Sequence, residues 1–274
     1  MAVQSRATIS TIMVKNNKFK EFIAFCLGLL FIAMLLQAGG ALHENSVVFP
    51  SLPEIAKSFV RLLSQRETYT AAGISLLHLL EALAWAMLFG ILAGTVEGLS
   101  NLFRSALKPV MIMIRSLPMI ILVILTMTIL PYSRVPVAAG TVVLIPMISE
   151  AVSEGFRSID PEFIDVYRIN GRFGCRVFFQ VYIPLVSGYL KEAFFNAAGM
   201  GLKIVVSAEY LVQTRNSLGK AVYSSAYFLD YADIYAYALI MIFMVVMITG
   251  LPVLVFSARN KLHPVQKQEI SRKV

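Results

Sequence analysis

Stretches of about twenty mostly apolar residues recur along this chain, and they decide what it can fold into, since a helix needs about 20 such residues to cross the ~30 Å hydrocarbon core of a bilayer. They cover Phe22–Leu42, Ala72–Val96, Val110–Leu130, Val135–Ile148, Ile183–Ala208 and Ile234–Phe256. The fourth is short and the fifth is long. With 58% hydrophobic and 15% charged residues and a mean hydropathy of +0.73, the chain reads as an all-α integral membrane protein with six transmembrane helices.

The net charge of +8 does not point to nucleic acid. Arg6, Lys15, Lys18 and Lys20 precede the first span, and Arg259, Lys261, Lys267, Arg272 and Lys273 follow the last. Arg104 and Lys108 lie between the second and third spans, and further arginines lie between the fourth and fifth. No aromatic residues interleave with these bases. With both termini in the cytoplasm, all four groups fall on the inner side, as the positive-inside rule favours. Lys57, Arg61, Arg66, Arg134, Arg215 and Lys220 then lie outside, diluted by acids or by longer loops. A secretory signal is the rival reading of residues 22–42, but its apolar run exceeds the usual core of about 7–15 residues. Cys26 lies in that run and Cys175 in a polar loop, so both read as unpaired thiols.

Outside the spans, Ser51 and Glu54 have the spacing of a capping box, and Leu52, Ile55, Phe59 and Leu63 follow helical spacing. An amphipathic helix at the outer surface is expected. Pro131 to Arg134 reads as a tight turn, and Gly90 and Gly94 form a G-x-x-x-G pair that permits close helix packing.

Ionisable residues at membrane depth need a partner or water, so they are the candidates for a translocation path. Glu81 lies about nine residues, or roughly 13 Å, into the second span. Lys203 lies at comparable depth in the fifth, so a Glu81–Lys203 pair, a path-lining role and snorkelling of Lys203 to the surface are the three expectations. His78, one turn before Glu81, reads as a helix contact. Arg115 is set to meet either an anionic substrate or carbonyls freed by Pro118. Glu209 is placed at the outer mouth, as a gate or a helix-end contact.

Ser158 to Pro184 is a polar interruption between two apolar halves. Asp160 suits an N-cap and Pro161 the first helical turn, with Glu162 and Arg168 matching the helix dipole and Gly171 a helix stop. Phe163, Ile164, Tyr167 and Ile169 give this short helix an apolar side. A second amphipathic segment, 172–182, runs into Pro184.

This spacing resembles the cytoplasmic coupling loop of ABC-importer permeases, in which an EAA triplet is followed by three residues, a glycine, nine residues and I-x-L-P. Asp165, Val166 and Tyr167 occupy the triplet; Gly171 matches, and Val181-Tyr182-Ile183-Pro184 closes the pattern. From Thr70 to Leu262 the chain is similar to the permeases of the sulfonate, taurine, nitrate and thiamine-precursor importers. The matching elements are Ser75-Leu76-Leu77, Arg115-Ser116-Leu117-Pro118, Ser158-Ile159-Asp160-Pro161-Glu162, Ala208-Glu209 and Ser217-Leu218-Gly219. The group's W-F-G is replaced by Leu130-Pro131-Tyr132, and His78 stands where the group has arginine.

The resemblance implies a type I permease with both termini cytoplasmic. Residues 1–20 and 263–274 would be tails around a six-helix domain, 21–262, with its coupling loop at 156–182. It implies cytoplasmic ATP-binding subunits, an extracytoplasmic solute-binding protein, and a second permease copy. Asp160 would cap the coupling helix, and Asp165 would be its polar contact to the ATPase. Phe163, Ile164 and Tyr167 would be the apolar contacts, with Gly171 and Pro184 setting the turns. The chain has no phosphate-loop motif and no His-Glu-x-x-His element, so no enzymatic activity and no cofactor are expected. An ion-coupled carrier using Glu81 and an intramembrane enzyme are the rival classes, and neither accounts for the loop spacing. Both a small anion such as a sulfonate and a thiamine-related pyrimidine are consistent as solutes.

Overall fold

The computed structural model describes Met34, residues 50–159 and residues 183–261. Those residues form eight helices of more than one turn, with no strand among them: α1 (Leu52–Leu63), α2 (Arg66–Leu99), α3 (Asn101–Ser116), α4 (Met119–Ile129), α5 (Val135–Arg157), α6 (Ile183–Val212), α7 (Leu218–Tyr227) and α8 (Tyr231–Lys261). The first expected span and the coupling helix, with Asp160, Phe163, Ile164, Asp165, Tyr167 and Gly171, lie outside the described residues.

α1 begins where its sequence directs. Ser51 is the N-cap, and its N–H donates to Glu54 Oε2 at 2.8 Å, which satisfies one donor that helix geometry leaves over. The buried side is Ile55, Ser58 and Leu62, while Leu52 and Leu63 are exposed. The inward stripe is therefore rotated from the expected one. The helix docks on α8, where Arg61 forms an ion pair with Asp233.

α2 is 34 residues long, about 51 Å at helical rise. It runs parallel to α5, and glycines make the seam close. A Cβ on Gly90 would lie 2.8 Å from Ile148 Cβ, one on Gly94 2.5 Å from Ser149 O, and one on Gly98 2.6 Å from Phe156 Cβ. The G-x-x-x-G pair is thus part of a three-glycine contact that lets backbones approach. α6 returns antiparallel on α5, with a Cβ on Gly155 meeting Val186, and one on Gly201 meeting Leu144. Leu79, Leu144, Ile148, Leu202 and Val205 are fully buried where α2, α5 and α6 meet.

Three described helices are long and apolar enough to cross a membrane: α2, α5 and α8 over Tyr231–Gly250. α6 matches them in length at 30 residues but carries Lys191, Glu192, Asn196, Lys203 and Glu209.

The expected third span is not one helix. α3 and α4 meet at a bend of 102°, with Leu117 extended at ψ 126°. The ring of Pro118 disfavours helical backbone at the residue before it, so α3 stops there and Pro118 caps α4. α5 also extends to Arg157 rather than ending near Ile148; beyond its apolar stretch Ser149, Val152, Ser153 and Phe156 stay buried, in part against Gly94 and Gly98 of α2. Beyond the fifth span, Glu209 to Val212 remain helical and α7 fills much of the expected outer loop.

Candidate functional site

Glu209, near the end of α6, is fully buried. Its Oε2 accepts from Ser75 Oγ at 2.6 Å and from the Gly219 N–H at 3.2 Å. Its Oε1 lies 2.7 Å from His78 Nδ1, which donates when that nitrogen carries the proton. Ser75 Oγ also accepts the Leu218 N–H at 2.9 Å. Three polar groups from α2 and α7 therefore share one buried carboxylate, as a buried polar group requires.

The backbone fits this cluster closely. A Cβ on Gly219 would stand 2.4 Å from Glu209 Cβ and 2.4 Å from Tyr210 N, closer than van der Waals contact allows. Ser217 caps α7, its Oγ accepting from Lys220 N at 3.2 Å and donating to Thr214 O at 2.7 Å. Three short sequence elements, Ser75-Leu76-Leu77, Ala208-Glu209 and Ser217-Leu218-Gly219, thus meet in one buried cluster that ties α7 to α2 and α6. Of the two roles read for Glu209, gate or helix-end contact, the geometry is that of the second: it is buried and accepts from the first turn of α7.

Glu81 and Lys203 do not pair. Glu81 instead binds Arg134 at 2.5 Å, joining α2 to the start of α5. The turn Pro131 to Arg134, closed by the Arg134 N–H on Pro131 O at 2.8 Å, puts that arginine within reach. Lys203 is exposed and shares one face of α6 with Glu192, Asn196 and Ser207, all exposed. Their separations of four, seven and four residues return to one side of a helix. The stripe was not legible as such because only its charged members stood out.

Arg115 does not serve carbonyls freed at Pro118. It donates to Pro146 O at 2.8 Å and pairs with Glu150 at 2.5 Å, fixing α3 against α5. Pro184 is the second residue of α6, and its carbonyl accepts from Ser187 Oγ at 2.7 Å. Arg115 also borders a cavity of about 500 Å³ between α2, α3 and α5, with Arg104, Lys108, Arg157, Glu97 and Glu150. No group of three or more His, Cys, Asp or Glu side chains is arranged to hold a metal among the described residues.

Residues 86–262 match the profile of the family described as the binding-protein-dependent transport system inner membrane component. The chain belongs to this family. It is a multi-pass inner-membrane permease of the ABC-importer class. In fold it is similar to a chain of the MetNI methionine ABC transporter in an inward-facing conformation, with a TM-score of 0.57. That similarity covers 70% of this chain and 94% of the other at 17% identity. Among curated proteins no sequence match was found.

Proposed function

We propose that the chain is one half of the translocation unit of an ATP-driven importer, paired with a second copy and coupled through residues 158–184 to separate ATP-binding subunits. The family match across residues 86–262 carries this reading, because that span includes the coupling-loop spacing. Six spans with both termini inside complete the topology. In the loop, Asp160 caps a short rigid helix and Asp165, Phe163, Ile164 and Tyr167 contact the ATPase. Gly171 permits the turn and Pro184 starts the fifth span.

The exposed polar stripe of α6 supports the pairing of two copies. A lysine, an acid and an amide on one side of a helix are costly against lipid; against a partner copy they line a wet path. Lys203 then lies on that path and favours an anionic solute, as in sulfonate-type importers, delivered by an extracytoplasmic binding protein. Glu81 and Arg115, each held in an ion pair, brace the frame around it, and Glu209 holds its outer end together.

The test is co-purification of the tagged chain with its ATPase, followed by reconstitution with the binding protein. Uptake that follows ATP hydrolysis supports the reading. Uptake driven by a proton or sodium gradient without ATP assigns the chain to the ion-coupled carriers.

A further inference from the structure

The cavity between α2, α3 and α5 has no part in the function proposed above. Four cationic side chains, Arg104, Lys108, Arg115 and Arg157, border it against two acidic ones, Glu97 and Glu150. Arg115 is committed to Glu150 and Pro146, and Arg157 contacts Asn101 at 3.5 Å. Arg104 and Lys108, both exposed, make no ion pair within 4.0 Å among the described residues.

The same cavity is bordered by polar atoms that are buried and unsatisfied. Glu97 is 8% exposed and Ser153 2%. Among the described residues Glu97 Oε1 and Ser153 Oγ have no hydrogen-bond partner, a state that protein interiors rarely leave without a ligand or water. The cavity's volume is also that of a small-ligand site.

α3 sets the cavity in an interfacial context. None of its residues is buried. Leu102, Phe103, Val110, Ile112 and Met113 are exposed on the helix that carries Arg104, Lys108 and Arg115. A helix with apolar residues on one side and bases on the other lies at the headgroup level of a membrane. It follows directly on α2, and basic pockets between spanning helices on the cytoplasmic side suit anionic headgroups.

We infer that this cavity binds the headgroup of an anionic phospholipid of the phosphatidylglycerol type, in the leaflet where α2 meets α3. Arg104 and Lys108 take the phosphodiester. Glu97 Oε1 and Ser153 Oγ take the glycerol hydroxyls, which supply the donors that the phosphodiester itself lacks. The orientation proposed above serves only to name the leaflet as cytoplasmic.

The full-length chain, with any subunits that co-purify, is equilibrated with mixed vesicles holding equal phosphatidylglycerol and phosphatidylcholine. Retained lipid is then counted by native mass spectrometry. Phosphatidylglycerol should be retained over phosphatidylcholine by about tenfold or more, and Arg104→Gln with Lys108→Gln should remove that preference. Both side chains are exposed, so the double variant spares the core. Lys57→Gln on α1 with Arg66→Gln at the start of α2, both away from the cavity, should leave the preference intact. Glu97→Gln with Ser153→Ala should narrow the discrimination between phosphatidylglycerol and phosphatidic acid, which lacks the hydroxyls.

Equal retention of both lipids by the wild type, or an unchanged preference in the Arg104/Lys108 variant, overturns the assignment. Displacement of the lipid by inorganic phosphate alone reassigns the cavity to a free anion. Lipid retention is read without uptake, so this result stands or falls separately from the transport reading.

Discussion

His78 Nδ1 lies 2.7 Å from Glu209 Oε1, and the two residues are 131 positions apart in the chain. Their contact closes the cluster that holds α2, α6 and α7 together. An imidazole is shorter than a guanidinium and offers only this one nitrogen to the carboxylate. Ser75 and the Gly219 N–H satisfy its other oxygen.

Removing the carboxylate orphans the donors around it. Glu209→Ala is expected to cost about 3–5 kcal/mol, the usual loss when one partner of a buried charged cluster is deleted. Ser75→Ala, which removes one hydroxyl, should cost about 1–3 kcal/mol. Thermal unfolding of the purified protein in detergent checks both, with Glu209→Ala the larger loss. Equal and negligible losses would show that the cluster contributes nothing to stability.

Gly219→Ala forces a methyl carbon to within 2.4 Å of Tyr210 N and Glu209 Cβ. Backbone cannot yield as a flexible side chain does, so the expected cost is about 3 kcal/mol or more. Gly73 is the control: a Cβ there meets nothing within 4 Å, and Gly73→Ala inside helix α2 should stabilise by up to about 1 kcal/mol. Fluorescence-detected chromatography during a heat ramp reads both directly.

At the α2–α5 seam, a Cβ on Gly94 would lie 2.5 Å from Ser149 O. Gly94→Val should separate the two helices and cost about 2–3 kcal/mol or more. The check is loss of a cysteine cross-link placed between the two helices, with membrane insertion unchanged.

Lys203→Met keeps length and removes charge. It should leave membrane abundance unchanged and cut solute uptake by about tenfold or more, equivalent to about 1.4 kcal/mol of lost stabilisation. Uptake at the wild-type rate would place that face of α6 outside the path.

What the sequence makes legible here is local. The Ser51–Glu54 cap and the Pro131–Arg134 turn depend on neighbours a few residues away, and both appear as read; Gly90 and Gly94 marked a close helix approach without naming α5 as the helix. The bend at Leu117–Pro118 was signalled by Pro118 itself, yet hydropathy runs straight through it, because hydropathy reports the solvent and not the direction of the helix. α5 runs past its apolar stretch for the same reason. Which intramembrane charges meet is not local, and equal depth alone offered Lys203 as the partner of Glu81. Arg134 wins because the tight turn brings it beside α2, a relationship set by tertiary packing rather than by spacing.

The central claim is that residues 158–184 couple this permease to ATP hydrolysis, and Gly171→Asp in proteoliposomes holding the ATPase and binding protein tests it most directly. The account predicts normal insertion and abundance, with ATP-dependent uptake lost. Wild-type uptake by that variant at normal abundance would contradict it.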